Sequence, residues 1–143
     1  MKSKALWYLA ISVVASLMVW GCSGSGGGGT SSGSGSGNGT NLEVTATSAS
    51  MQKSTSTSNS TQTVIANVTG SDGTQVADGT LVTFTTNMGG FLGSDGTTVA
   101  GSASATTSNG KVSVVYAAPT SKGSARISAA ANGAYAWVQV SVY

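Results

Sequence analysis

The chain contains no histidine. That absence excludes catalysis by a triad with a histidine base and excludes histidine-ligated zinc. Cysteine occurs once, at Cys22, so no intramolecular disulfide can form, and a folded domain must rest on apolar burial and strand pairing. At about 100 residues such a domain is large enough to manage without staples. Charged residues are only 7 % of the sequence. Lys2 and Lys4 sit at the N-terminus, and the remaining Lys53, Lys111, Lys122 and Arg126 balance Glu43, Asp72, Asp78 and Asp95 to a formal net of zero. Beyond its N-terminal lysines, so neutral a chain lacks the basic footprint of a nucleic-acid binder and the lysine-rich face of a peripheral membrane protein.

The four carboxylates are the only candidate acids. Asp72, Asp78 and Asp95 each precede a glycine, where a side-chain oxygen bonds local backbone N–H groups and helps to form a turn. Glu43 is a lone, solvated strand residue. Nothing points to the pair of carboxylates, about 5–10 Å apart, that a glycosidase requires. Calcium takes six to eight oxygens, and too few anionic ligands lie near Asp72 or Asp95 to expect it. The expectation is a non-enzymatic protein with no metal and no cofactor.

What is present begins with an uncharged run, Ala5 to Trp20 (ALWYLAISVVASLMVW), behind two lysines and ahead of Gly21-Cys22-Ser23. At 16 residues it falls short of the roughly 18 expected of a spanning helix, and its flanks are those of a secretory signal. Val19-Trp20-Gly21-Cys22 resembles the lipobox of bacterial lipoproteins, in which a small residue precedes the cysteine that is diacylated; Trp20 is bulkier than the usual residue there. The resemblance implies a signal peptide over 1–21, lipidation of Cys22, and membrane anchoring by acyl chains at about 0.8 kcal/mol per buried methylene. Ser23 after the cysteine implies sorting to the outer membrane if the cell is Gram-negative. The alternative is an uncleaved anchor with an incidental cysteine.

Ser23 to Thr40 (SGSGGGGTSSGSGSGNGT) holds only Gly, Ser, Thr and Asn. With no apolar side chain to bury, residues 22–41 are expected to form a flexible linker of roughly 25 Å end to end, about 60 Å at full stretch. A phosphate-binding glycine loop would need a strand before it and a helix after it, and neither is indicated.

From 42 to 143 the pattern becomes short alternating runs: Leu42, Val44, Ala46; Val64, Ala66, Val68; Val82, Phe84; Val112, Val114, Tyr116; Ala125, Ile127, Ala129; Val138, Val140, Val142. Period two with Val, Thr and Tyr enrichment predicts strands with one buried face. Ser71-Asp72-Gly73, Ala77-Asp78-Gly79, Asp95-Gly96, Asn109-Gly110 and Asn132-Gly133 supply the turns, and Pro119 falls between two late runs. Roughly seven strands so arranged predict an all-β, immunoglobulin-like β-sandwich.

Thr63 to Thr86 (TVIANVTGSDGTQVADGTLVTFTT) resembles the bacterial immunoglobulin-like domains of the invasin and intimin adhesins, the group-one type, with their "x-D-x-G-x-x-V" turn and "V-x-F" strand. Ala105 to Val112 (ATTSNGKV) is similar to their "T-T-D-x-N-G-x-A" hairpin. Gly123-Ser124-Ala125-Arg126-Ile127 with Asn132-Gly133 is similar to their closing hairpin. The likeness covers residues 42–143 and implies an adhesin-type sandwich. The chain has a single copy and none of the adhesins' outer-membrane barrel or terminal receptor-binding module, so no receptor-contacting residue carries over.

Tyr135, Trp137 and Tyr143 share the parity opposite to Val138, Val140 and Val142. If the valines face the core, these aromatics line the outer face beside Gln139 and Ser141 as partner-binding residues, for glycan by stacking or for protein as anchors. Alternatively they pack under a loop, or Trp137 lies in the core and the valines face out. Phe91 and Leu92 beside Met88 read as a packing lid at one end of the sandwich. The functional expectation is a lipoprotein at the cell envelope displaying an interaction or adhesion module. Its partner would be an envelope protein, a protein of a host or neighbouring cell, or a glycan. The alternative is a structural or self-associating envelope component without a specific ligand. Cells fed labelled palmitate are expected to label the wild-type chain and not Cys22→Ala; equal labelling, or unchanged anchoring of the variant, would refute the anchor.

Overall fold

The computed structural model describes residues 30–143. The expected signal peptide, Cys22 and the first part of the expected linker lie outside the described residues. Those described form eleven strands and no helix: β1 (Ser31–Gly37), β2 (Thr40–Ala46), β3 (Ser50–Met51), β4 (Thr61–Gly70), β5 (Leu81–Thr86), β6 (Gly90–Leu92), β7 (Val99–Ala100), β8 (Ser102–Thr106), β9 (Lys111–Ala117), β10 (Gly123–Ala131) and β11 (Ala134–Val142). One sheet runs β1-β2-β4-β9-β6-β7 and the other β3-β11-β10-β5-β8. Setting β2-β4-β9-β6 against β11-β10-β5 is the immunoglobulin-type partition. The strand count exceeds the expected seven for physical reasons. The first strand is divided, β2 staying in one sheet while β3 pairs in parallel with the end of β11. The strand β7 that pairs with β6, the strand β8 that pairs with the outer edge of β5, and the added β1 supply the rest.

Each alternating run places its apolar set inward. Leu42, Val44, Val64, Val68, Val82, Phe84, Ile127, Val138 and Val140 are all buried, and a fully buried side chain of this kind contributes about 1.5–3 kcal/mol. Phe84, Phe91 and Tyr116 form the aromatic part of the core, with ring centroids 6.1 and 6.0 Å apart. The Tyr116 hydroxyl donates to the Met88 carbonyl at 2.8 Å, so the buried phenol is satisfied. Phe91 packs as expected, but on the strand β6 rather than on a lid, because Gly90 and Phe91 pair with Ala117 and Tyr116 of β9. Between β3 and β4 the loop is pinned by Ser54, whose hydroxyl donates to the Ala118 carbonyl at 2.6 Å and accepts from the Ser60 amide at 3.0 Å.

The main departure from expectation is β1. Residues 31–37, expected to be part of a flexible linker, form a seven-residue strand paired with β2 in continuous register from Ser31↔Ala46 to Gly37↔Thr40. The sandwich therefore begins at Ser31 rather than at Leu42. The cost of ordering the strand is offset without apolar side chains. Asn38 and Gly39, at φ 46° and 69°, make the tight turn that returns the chain alongside β2. The glycines then alternate with serines so that Gly33, Gly35 and Gly37 all face β11. A Cβ on them would overlap the carbonyl oxygens of Trp137, Tyr135 and Gly133 respectively. Glycine alone permits that approach, in which Cα–H groups lie against carbonyls. At the open end, Ser31 Oγ donates to the Gln139 carbonyl at 2.9 Å. β1 thus covers the stretch of β11 edge that β3 does not reach, and leaves it closed to further pairing.

A side chain at Gly35 forces β1 away from β11. Gly35→Val is expected to destabilise the sandwich by about 1–3 kcal/mol, the usual cost of overpacking, and to raise amide exchange across β1. Ser34→Val, on the exposed parity, is expected to do neither. Thermal melts and hydrogen-exchange mass spectrometry of the full chain read both effects.

Candidate partner-binding face

The hairpin of β10 and β11 is registered about Asn132-Gly133, with Ala131↔Ala134 through Gly123↔Val142. Strand alternation then distributes the β11 side chains. Ala134, Ala136, Val138, Val140 and Val142 are buried, while Tyr135, Trp137 and Tyr143 are 50, 44 and 57 % exposed. Of the alternatives left open by the sequence, the valines-inward arrangement is the one present. The three aromatics share the outer face of the β3-β11-β10-β5-β8 sheet.

The same register brings two residues to the aromatics that the sequence reading had not assigned to a site. Arg126 faces Gln139, and Ser128 faces Trp137. The Arg126 guanidinium lies 4.5 Å from the Trp137 ring centroid, a cation–π contact of about 0.5–1 kcal/mol at an exposed site. It also approaches the Tyr135 hydroxyl at 3.5 Å, and that hydroxyl donates to Ser128 Oγ at 2.7 Å. Gln139 Nε2 donates to Ser124 Oγ. Just past the end of β5, Asn87 Oδ1 accepts from the Arg126 amide at 2.7 Å. The signal for Arg126 was available: an Asn-Gly turn at 132–133 fixes which residues of the two runs stand opposite each other.

Shallow depressions flank this ladder. One, of about 260 Å³, is lined by Thr85, Thr86, Asn87, Arg126, Ser128 and Tyr135. The other, of about 270 Å³, lies between Trp137, Gln139 and residues 31–34 of β1. A larger hollow of about 560 Å³ on the opposite sheet is lined by Ser34, Ser36, Asn41, Glu43, Asn67 and Thr69 among others and offers no aromatic surface.

The carboxylates are occupied elsewhere. Asp72 accepts from the Thr74 hydroxyl at 2.7 Å and amide at 3.0 Å, and these bonds hold its pKa below the ordinary value. The Asp95 carboxylate accepts from the Thr98 hydroxyl at 2.5 Å and from the Thr98 and Thr97 amides at 3.0 Å each. Its pKa is likewise lowered, the Thr98 hydroxyl being the largest cause. Asp78 accepts from the Asn109 amide at 2.6 Å, and Glu43 from Asn67 at 3.4 Å. Asp72 and Asp95 form their own turns, as expected from the following glycines, whereas the Asp78 carboxylate braces the distant turn at Asn109 instead of its own. Among the described residues no three His, Cys, Asp or Glu side chains gather as a metal site, and no helix is long and apolar enough to cross a membrane.

Comparison with protein-family models, with curated proteins and with solved structures finds no match. The face itself generates a stability test. Trp137→Ala is expected to cost about 1 kcal/mol or less, the size of an exposed cation–π contact, whereas Val138→Ala next to it is expected to cost about 2 kcal/mol. Chemical denaturation measures both, and the reverse order would place Trp137 in the core.

Proposed function

We propose that this chain is a cell-envelope lipoprotein of the bacterial kind, anchored through Cys22, that displays one invasin/intimin-type sandwich as a non-catalytic interaction module. In a Gram-negative cell the anchor belongs to the outer membrane. The observation that carries the module reading is the outer face of β11, where Tyr135, Trp137 and Tyr143 are exposed together on one strand. Half-exposed aromatics held in place by polar neighbours are costly to leave in water and serve as anchors for a protein or glycan partner.

The early start of the sandwich shapes the proposal. Between Cys22 and Ser31 lie only Ser23 to Thr30, which reach about 28 Å at full extension. That is roughly half the reach expected when the whole Gly/Ser stretch counts as tether. A module so anchored works close to its membrane and meets partners at short range.

Cells displaying the full chain are expected to attach to one or more members of a panel of immobilised envelope proteins, host-cell proteins and glycans. Trp137→Ala is expected to reduce that attachment about 30-fold, as loss of an anchor worth about 2 kcal/mol does, with surface display unchanged and the melting temperature lowered by only a few degrees. Attachment that persists in the variant, or none from the wild type, would overturn the interaction reading and leave a structural envelope component.

A further inference from the structure

The charge distribution around the aromatic face points to the class of its ligand. On the outer parity of β5, β8, β10 and β11 the strands carry a single charged residue, Arg126; the rest are Ser, Thr, Gln, Ala, Leu and the aromatics. The guanidinium is oriented by ring faces, Trp137 at 4.5 Å and the Tyr135 hydroxyl at 3.5 Å, while all four carboxylates of the described residues hold turns or face Asn67. Arg126 therefore keeps an uncompensated charge beside an exposed indole.

Two further cations flank the end of the same strand. The Lys53 amide donates to the Tyr143 carbonyl at 3.0 Å. Lys122 precedes Gly123, the partner of Val142, and shares parity with Arg126. Both lysines are exposed. Asp72 and Asp78 stand at the far end of the sandwich: the Ser71 amide bonds to the Gly39 carbonyl there, and Gly79 to Thr107. The aromatics span the distance between these ends, Tyr135 beside the Asn132-Gly133 turn and Tyr143 beside Lys53, and Lys111 sits at the end that Asp72 and Asp78 share, so the charge that falls among the rings is that of Arg126. Such a face selects a negatively charged partner and repels positive ones.

The surroundings decide what kind of anion. Around the rings the exposed neighbours are chiefly polar, Ser124, Gln139 and Thr85, while the aliphatic ones, Ala130 opposite Tyr135 and Leu81 on β5, are too few to form the dry centre of a protein interface. Flat rings on an open sheet suit the C–H face of a pyranose, the hydroxyls suit its hydroxyls, and a guanidinium forks onto a carboxylate. We infer that the outer face of β10 and β11 binds an acidic polysaccharide of the uronic-acid class, with the sugar stacked on Trp137 and Tyr135 and its carboxylate on Arg126. This rests on the reading of the domain as an interaction module and names its ligand class.

The test uses the full chain in nonionic detergent with Trp7→Phe and Trp20→Phe, which leaves Trp137 as the only indole. Trp137 emission is followed against polygalacturonate, neutral dextran, poly-L-glutamate and phosphatidylglycerol vesicles. A saturable change with polygalacturonate, at least tenfold weaker with the other three, is expected. Arg126→Gln should weaken it at least tenfold while lowering the melting temperature by only a few degrees, and added salt should weaken it as well. No response to polygalacturonate would overturn the inference. So would an equal response to polyglutamate, which indicates an acidic protein, or to vesicles, which indicates a membrane surface. The attachment assay separates the two failures. If Trp137→Ala abolishes attachment while polygalacturonate is inert, the ligand class is wrong and the module stands; if attachment also persists, both fall.

Discussion

The side chains of β11 alternate between two environments, and that alternation couples the core of this molecule to its candidate site. Val138, Val140 and Val142 can be buried only if Trp137, Gln139 and Tyr143 point outward, because successive residues of a strand face opposite ways. A slip of one residue would place an indole and a phenol in a core built for valine and alanine and would put the valines in water. Burial energy on one face thus fixes the exposure of the aromatics on the other, and the pairing with β10 sets Arg126 and Ser128 beside them.

The rest of the architecture protects this strand. β11 pairs along its whole length with β10, but β3 covers its other edge only at Ser141 and Val142. β1 takes over beneath Gly133 to Gln139, where its glycines sit against carbonyl oxygens. Small residues also fill the inward face of β10 and β11: Ala125, Ala129, Ala134 and Ala136 are all buried. The domain replaces the disulfide it cannot form with close backbone approach, which tolerates no added methyl group. The same strand that seals the edge also carries the exposed serines of one wall beside Trp137.

Much of this was legible in the sequence because period two is a strong signal when both faces differ. The inward sets of β2, β4, β5, β9, β10 and β11 stood in the sequence as alternating runs, and the Asx-Gly pairs marked turns whose positive φ the backbone adopts: Asn109 at 51° and Asn132 at 46°. The exposure of Tyr135, Trp137 and Tyr143 was one of two readings of the same alternation, and parity alone could not choose. β1 was missed because its alternation is between glycine and serine, which a search for apolar residues does not register; its signal was Asn38-Gly39 between that repeat and the run from Leu42. Arg126 was missed because its importance arises across the hairpin. It reads as one of four balancing cations until the register sets it over Trp137.

A domain without histidine, with each aspartate holding a turn, offers chemistry at its surface through stacking and charge. The claim on which the account rests is that β11 divides its residues between core and ligand. Cysteine substituted singly at each position from 134 to 143, in a Cys22→Ala chain, measures this by the rate of thiol labelling with and without polygalacturonate. The account predicts fast labelling at odd positions, slow labelling at even ones, and protection by the polysaccharide at 139, where Tyr135 and Trp137 are both retained. Labelling that does not alternate, or a cysteine at 139 that the polysaccharide leaves equally reactive, would contradict it.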